Sequence, residues 1–152
     1  MEKEFFEDYQ VGETFVSPGR TITESDIVLF AAITGDWHEL HTNVEYAKTT
    51  HFKERIAHGM LSLVIGSALM FRLGAYVMLP KSFVAFYGMD DIRFINPLRI
   101  GDTIWGQVEV KELNEKDDKL GILVEGLTVV NQKKEVVLQA NIKSLCAKNK
   151  GF

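Results

Sequence analysis

Cysteine is nearly absent from this sequence, which contains only Cys146 among its 152 residues. One cysteine cannot form an internal disulfide. Cys146 shares strand parity with an apolar set of neighbours, which are Val136, Leu138, Ala140 and Ile142. Because side chains of one parity lie on one face of a strand, we expect Cys146 to be a buried, inert thiol and not a nucleophile.

The sequence also lacks an excess of positive charge, since 17 Lys and Arg stand against 21 Asp and Glu and the net charge is −4. A net negative charge does not favour binding to the phosphate backbone of a nucleic acid, so we expect no nucleic acid partner. The acidic start, MEKEFFEDYQ, has neither the basic nor the apolar region of a secretory signal, so we expect a cytoplasmic protein. The longest near-continuous apolar run, Met60 to Phe71, is shorter than the roughly 18 to 20 residues that span a bilayer, so we expect no membrane partner.

The overall composition is that of an ordinary globular protein, with 46% hydrophobic and 25% charged residues. A chain of this length suits one domain with a substantial core. We predict a single domain over residues 1–147 and a short polar C-terminal tail over residues 148–152.

Extended structure and two helices are predicted in the first third of the chain. The extended segment runs from Glu13 to Ile22, and Thr23 is a suitable N-cap for a first helix. Gly35 ends that helix, because glycine just past a periodic apolar run favours the left-handed turn. Asn43 can cap a short second helix, from Val44 to Lys48.

The rest of the chain predicts one apolar helix and a sheet. The helix, from Gly59 to about Leu73, is apolar on nearly every face, so other structure must surround it. Four strands separated by short polar turns follow, namely Phe83 to Phe94, Thr103 to Leu113, Leu120 to Asn131 and Glu135 to Ala147. This order predicts an α+β fold in which an antiparallel sheet curls around the helix.

A histidine-rich segment precedes this helix and contains the candidate acid and base groups. We interpret Asp36 and His41 as an acid/base pair. Positions five apart on a helix point about 140° apart, so we expect both residues on a loop after Gly35. The alternative interpretation is a turn aspartate and a hydrogen-bonded loop imidazole.

The other histidines have simpler interpretations. His51 is expected at the surface, and His58 is expected to orient the turn before Gly59. The spacing of His38 and His41 also suggests a metal site, with His51, His58, Glu39 or Asp36 completing the ligand set. Since no cysteine pair or HExxH helix supports such a site, we expect no metal.

Three ordered motifs, GDWHELH, NVEYA and IAHGM before an apolar helix, resemble the signature of the MaoC-like hydratases, the (R)-specific enoyl-CoA hydratase family. An opening DYQVGE and a late FINPLRIGDTI extend the resemblance over roughly Phe6 to Cys146. The resemblance implies a hot-dog fold, which agrees with the α+β arrangement predicted above. It also implies that no cofactor is needed.

The family pattern DxNPLH is kept in part. Asp36, Leu40 and His41 match it, whereas His38 and Glu39 replace Asn and Pro. We expect the two replacements to alter how the loop is held, because an imidazole can still bond locally as Asn does.

The resemblance implies a reversible hydratase that interconverts 2-enoyl-CoA and (R)-3-hydroxyacyl-CoA thioesters. This reaction needs a base for water, an acid for the α-carbon and donors for the thioester oxygen. Asp36 and His41 are the implied catalytic pair, and either can deliver the proton to carbon. The backbone N–H of Gly59 is the implied oxyanion site, because it is unpaired at a helix start; the alternative is a plain loop-to-helix turn. Ser67 is a supporting candidate that can instead bond a helix carbonyl.

Two rival functions remain open from sequence. A hot-dog acyl-CoA thioesterase would use a similar carboxylate, and the altered positions 38 and 39 leave room for a non-catalytic acyl-thioester-binding subunit. Arg93 and Arg99 can meet coenzyme A phosphates or be solvated loop charges. We expect at least a homodimer, because one curled sheet leaves an unpaired edge strand and family members join two sheets at their edges.

Overall fold

The computed structural model describes residues 2–149. Within this range the α-helices are α1 (Glu24–Thr34), α2 (Glu39–Thr42), α3 (Val44–Thr49) and α4 (Gly59–Ala68). The strands are β1 (Thr14–Val16), β2 (Arg20–Thr21), β3 (Phe83–Phe94), β4 (Thr103–Glu115), β5 (Leu120–Asn131) and β6 (Val136–Ala147). Short 3-10 helices cover Phe6–Asp8 and Leu69–Leu73.

The strands form one antiparallel sheet in the order β1-β4-β5-β6-β3, with β2 also paired to β4. The longest continuous pairings join β4, β5 and β6, and β3 lies at the outer edge beside β6. The pairing of β3 with β6 contains three register shifts, between Phe83 and Ala85, Phe86 and Gly88, and Asp90 and Arg93. The predicted α+β hot-dog architecture is confirmed.

Helix α4 packs directly against the middle of the sheet. A β-carbon built on Gly66 would lie 2.6 Å from Cγ2 of Val129 in β5, and one built on Gly106 would lie 3.5 Å from the Gly66 carbonyl. The absence of side chains at these two positions brings the helix backbone onto β4 and β5. A buried apolar core fills the space around this contact.

The helix caps follow the sequence prediction closely. The side chains of Thr23 and Asp26 each bond the other residue's backbone N–H, and Gly35 ends α1 in the left-handed region at φ 78°. Asn43 Oδ1 accepts the Tyr46 N–H at 3.0 Å at the start of α3.

Two predictions about α4 need correction. The α-helix ends at Ala68 and the chain continues as a 3-10 helix before Gly74, because the last turn tightens. The expected complete coverage is also wrong, since Met60 and Val64 are 54% and 51% exposed. The sheet covers only one side of the helix, and these two residues lie on the opposite side.

The end of β6 confirms the expected position of Cys146, which is buried and whose pKa burial raises to about 12. Lys148, the first residue of the predicted tail, donates its N–H to Lys119 O at 2.8 Å and its Nζ to Asp117 O at 2.9 Å. The remainder of that tail after Asn149 lies outside the described residues. No helix between residues 2 and 149 combines the length and apolar character needed to cross a bilayer.

Candidate functional site

The predicted acid/base pair lies immediately after α1, on two different kinds of backbone. Asp36 follows the left-handed Gly35 and lies on a loop, as predicted. His41 instead lies in α2, a single helical turn, so the prediction that both residues occupy a loop is wrong. That turn is held by local bonds: the His38 N–H donates to Asp36 Oδ1 at 3.2 Å, and His38 Nδ1 accepts the Leu40 N–H at 3.1 Å.

The local bond expected of His38 in place of Asn is therefore present. His38 is the N-cap of α2, and its Nδ1 lone pair accepts the Leu40 N–H as an Asn side-chain oxygen would. Glu39 Oε1 accepts a bond from the side-chain amide of Asn43, which ties α2 to the start of α3. Both replacements of the family pattern are engaged in holding the turn.

The His41 ring is held by one hydrogen bond that also fixes its proton. Its Nδ1 lies 2.8 Å from the Ile56 carbonyl oxygen. A carbonyl only accepts, so Nδ1 carries the hydrogen and the neutral ring has its free lone pair on Nε2. Burial lowers the pKa of His41, and the neighbouring His58 acts in the same direction, against the raising effects of Ile56 and Asp36. His41 is therefore suited to accept a proton near neutral pH.

His58 touches both members of the pair. It is the N-cap residue of α4, as expected from the turn before Gly59, and only 2% exposed. Its Nε2 lies 3.0 Å from the Asp36 carbonyl oxygen, and its ring stacks on His41 with centroids 3.8 Å apart and planes inclined by 29°. The sequence predicted neither contact, because 22 residues separate His58 from Asp36.

Asp36, His41 and His58 form a compact polar cluster, in which a carboxylate oxygen and one nitrogen of each ring lie within 4.8 Å of one another. This set differs from the metal site considered from sequence, since His38 caps α2 and His51 is exposed. A metal must lie in the plane of each imidazole, about 2 Å from nitrogen. The rings of His41 and His58 are stacked with planes inclined by 29°, so they would have to tilt further before one metal could lie in both ring planes.

Gly59 begins α4 beside this cluster, and its N–H has no acceptor within the helix. A β-carbon at Gly59 would lie 3.3 Å from Cδ1 of Phe94, so the absent side chain lets the Phe94 ring pack close to the start of the helix. A cavity of about 210 Å³ opens there, and its lining includes His58, Gly59, Ser62, Phe94, Ile95 and Leu98. The helix start thus faces a largely apolar space.

Two serines of α4 have different positions. Ser67, the predicted supporting residue, donates its hydroxyl to Val64 O at 3.1 Å, which is the helix-carbonyl bond given as its alternative. Ser62 is buried and donates to Gly59 O at 2.6 Å. Ser62 was not among the site residues predicted from the sequence. Its position three residues after Gly59 was the available signal for this bond.

Arg93 and Arg99, the two candidates for binding coenzyme A phosphates, do not belong to the cluster of Asp36, His41 and His58. Arg99 pairs with Glu54 at 2.5 Å and also reaches Phe52 O. Arg93 borders a groove on the outer face of the sheet, together with Asp91 and Lys111.

Comparison with known proteins identifies the family. A family model described as the MaoC like domain matches residues 8–133. The chain belongs to this family. It is 44% identical over 109 residues to a protein of Rhodospirillum rubrum named (R)-specific enoyl-CoA hydratase, a match that spans 72% of this chain and 71% of the relative. A protein of Methylorubrum extorquens named 3-hydroxybutyryl-CoA dehydratase is 39% identical over 109 residues, which is 72% of this chain and 65% of the relative.

Solved structures of MaoC-like proteins show the same fold. A protein from Archaeoglobus described as a monoamine oxidase regulatory protein superposes with a TM-score of 0.90 at 42% identity, covering 97% of this chain and 96% of that chain. An R-hydratase from Pseudomonas aeruginosa superposes with a TM-score of 0.76 at 31% identity, covering 97% and 87%.

Proposed function

We propose that this MaoC-like protein adds water reversibly to 2-enoyl-CoA thioesters to give (R)-3-hydroxyacyl-CoA. The observation that carries the proposal is the proximity of His41 to Asp36. His41 donates its Nδ1–H to Ile56 O, so its Nε2 keeps a free lone pair, and the ring lies close to the Asp36 carboxylate. The names of the Rhodospirillum and Pseudomonas relatives support the substrate class and the (R) configuration.

The proposed reaction places one water between Asp36 and His41. One of the two groups takes a proton from the water as its oxygen bonds to the β-carbon of the substrate. The electron pair of the double bond moves to the thioester oxygen, and the Gly59 N–H donates to that oxygen. Asp36 or His41 then delivers a proton to the α-carbon. The proton taken from water is thus replaced, and one whole water molecule is added to the substrate.

We propose further that the protein acts as a homodimer through β3. One side of this edge strand is unpaired within residues 2–149, and the strand exposes large apolar side chains, including Val84, Phe86, Tyr87 and Phe94. A second copy paired along β3 would cover these side chains. Phe94 also contacts the Gly59 helix start, so the interface would border the proposed oxyanion site.

Crotonyl-CoA and butyryl-CoA together test the function. We expect the purified protein to hydrate crotonyl-CoA, measured as loss of the conjugated enoyl absorbance, without releasing free thiol. Butyryl-CoA is saturated and cannot be hydrated, but a thioesterase can hydrolyse it. Free thiol from both substrates without hydration would establish the thioesterase. Binding of both, measured calorimetrically, without any turnover would establish a non-catalytic acyl-thioester-binding subunit.

A further inference from the structure

His58 is a buried histidine whose ring lies against two other aromatic rings. One face stacks on His41, and Phe30 lies against the ring at a centroid distance of 5.0 Å and an angle of 54°. The residue also connects to the backbone of Asp36 and directly precedes Gly59. It is therefore adjacent to all three groups assigned to the reaction above.

Packing alone does not explain a histidine at position 58, because only one of its two ring nitrogens has a hydrogen-bond partner in the described part of the chain. Because the Asp36 carbonyl only accepts, Nε2 of His58 carries the hydrogen and Nδ1 carries the lone pair. Nδ1 is buried and has no hydrogen-bond partner within residues 2–149. A buried polar atom without a partner costs free energy, whereas a phenylalanine would fill similar space without that cost.

We propose that His58 is a positioning residue for the hydration reaction, a role that rests on the function proposed above. Its ring face fixes the plane of the His41 imidazole, while its Nε2–H fixes the Asp36 peptide. Both restraints come from one rigid ring, so the two catalytic groups keep one mutual geometry. His58 itself makes no contact with the reacting atoms in this proposal.

The stack has a second consequence for His41. The His58 ring covers one face of the His41 imidazole, and burial is the main cause that lowers the pKa of His41. A variant that lacks a ring at position 58 admits water to that face. The pKa of His41 should then rise, and the acid limb of the kcat/KM profile should move to higher pH.

The wild-type protein offers a test that needs no variant. Nitrogen-15 NMR of the imidazoles distinguishes protonated from bare nitrogens, and we expect protonated Nδ1 in His41 and protonated Nε2 in His58. A His58 ring protonated at Nδ1 alone would overturn the proposal, because the bond to Asp36 would not exist.

Three substitutions separate the two restraints. His58→Phe keeps a ring against His41 but loses the donor, His58→Gln keeps a donor but loses the ring, and His58→Ala loses both. We expect each to lower kcat by about 10- to 100-fold with little change in KM, because misplacement of reacting groups by about 1 Å can cost 10²-fold. His51→Phe alters an exposed histidine whose aromatic neighbour is Phe52, and it should behave as wild type.

The His41 titration, followed by NMR without substrate, completes the test. We expect it to move to higher pH in all three variants, and least in His58→Phe, which keeps a ring that excludes water but loses the electrostatic effect of His58; the effects of Asp36 and His38 on His41 stay in all three. Wild-type kcat and an unmoved His41 titration in all three folded variants would overturn the positioning role. Absence of hydration by the wild-type protein would instead overturn the proposed function, since the titration does not depend on substrate.

Discussion

Gly66 of α4 and Val129 of β5 approach so closely that a β-carbon on the glycine would lie 2.6 Å from Val129 Cγ2. Gly66→Ala should therefore overpack the core and destabilise the fold by about 1 to 3 kcal/mol. Urea unfolding monitored by circular dichroism measures the change. Gly88→Ala is the matched control, because a β-carbon there meets no atom of the described residues within 4 Å. Equal stability of the two variants would contradict the close approach.

Asp36→Asn and His41→Ala should each abolish most hydration activity. The fold should stay intact, because Asp36 is exposed after α1, His41 is half-buried in α2, and neither belongs to the main core. Loss of a general acid or base costs about 10² to 10⁴ in rate. Since the two groups act on one water, the double variant should be little slower than the slower single variant. Turnover of crotonyl-CoA beside thermal melts measures both effects.

His38→Asn is the control for the acid/base pair, since an Asn oxygen can accept the Leu40 N–H that His38 Nδ1 accepts now. It should keep most activity. Near wild-type turnover in well-folded Asp36→Asn or His41→Ala would exclude the pair, and a loss in His38→Asn as large as in His41→Ala would show that the wrong histidine was assigned.

Glu125 of β5 should make the protein less stable as the pH rises. It is fully buried, neither carboxyl oxygen has a hydrogen-bond partner in the described chain, and burial raises its pKa to about 8. Tyr9 and Cys146 are the titratable groups whose own pKa values its charge raises. From about pH 4.5 to 8 the unfolded chain releases a proton that the folded protein keeps, so the free energy of unfolding falls with pH.

Glu125→Gln removes this titration and keeps the shape of the side chain. We expect the wild type to lose more stability than the variant between pH 5 and pH 8, at up to about 1.4 kcal/mol per pH unit. Urea unfolding at both pH values gives the difference directly. Parallel pH dependence of the two proteins would mean that Glu125 ionises in the folded state as readily as in the unfolded chain.

Phe86→Lys should convert the proposed homodimer to monomer. Phe86 is 57% exposed on β3, and a charge there would be desolvated at the interface between two edge strands. Sedimentation velocity at micromolar concentration distinguishes the two states. Val11→Lys provides the control, since Val11 is also exposed, at 63%, but lies in the turn before β1. A wild-type protein that sediments only as monomer would remove the dimer.

Most element boundaries were predictable because their signals are local. Strands β3 and β5 have the predicted bounds, and α1 ends where Gly35 adopts its left-handed conformation. Helix α2 was not predicted, since its single turn depends on side-chain bonds of Asp36 and His38 and has no apolar period.

Features that depend on distant contacts could not be read from the chain. The pairing of β3 with β6, which skips the two intervening strands, leaves no local trace. Strand parity alone places Glu125 on the same face as Leu123 and Leu127, but only the tertiary structure shows that nothing bonds its carboxyl group. The assembly of Asp36, His41 and His58 likewise requires α4 to return to the end of α1.

The register shifts of β3 limit which strands of other molecules can be added to this edge of the sheet. A straight strand finds the amide and carbonyl groups of a bulged strand out of phase, so a regular ladder cannot extend along its whole length. A second copy turned about a two-fold axis presents the same irregularities in the opposite direction, and such a pair leaves neither β3 edge open. The irregular edge therefore opposes addition of one chain after another into a cross-β fibre, even though its side chains are apolar.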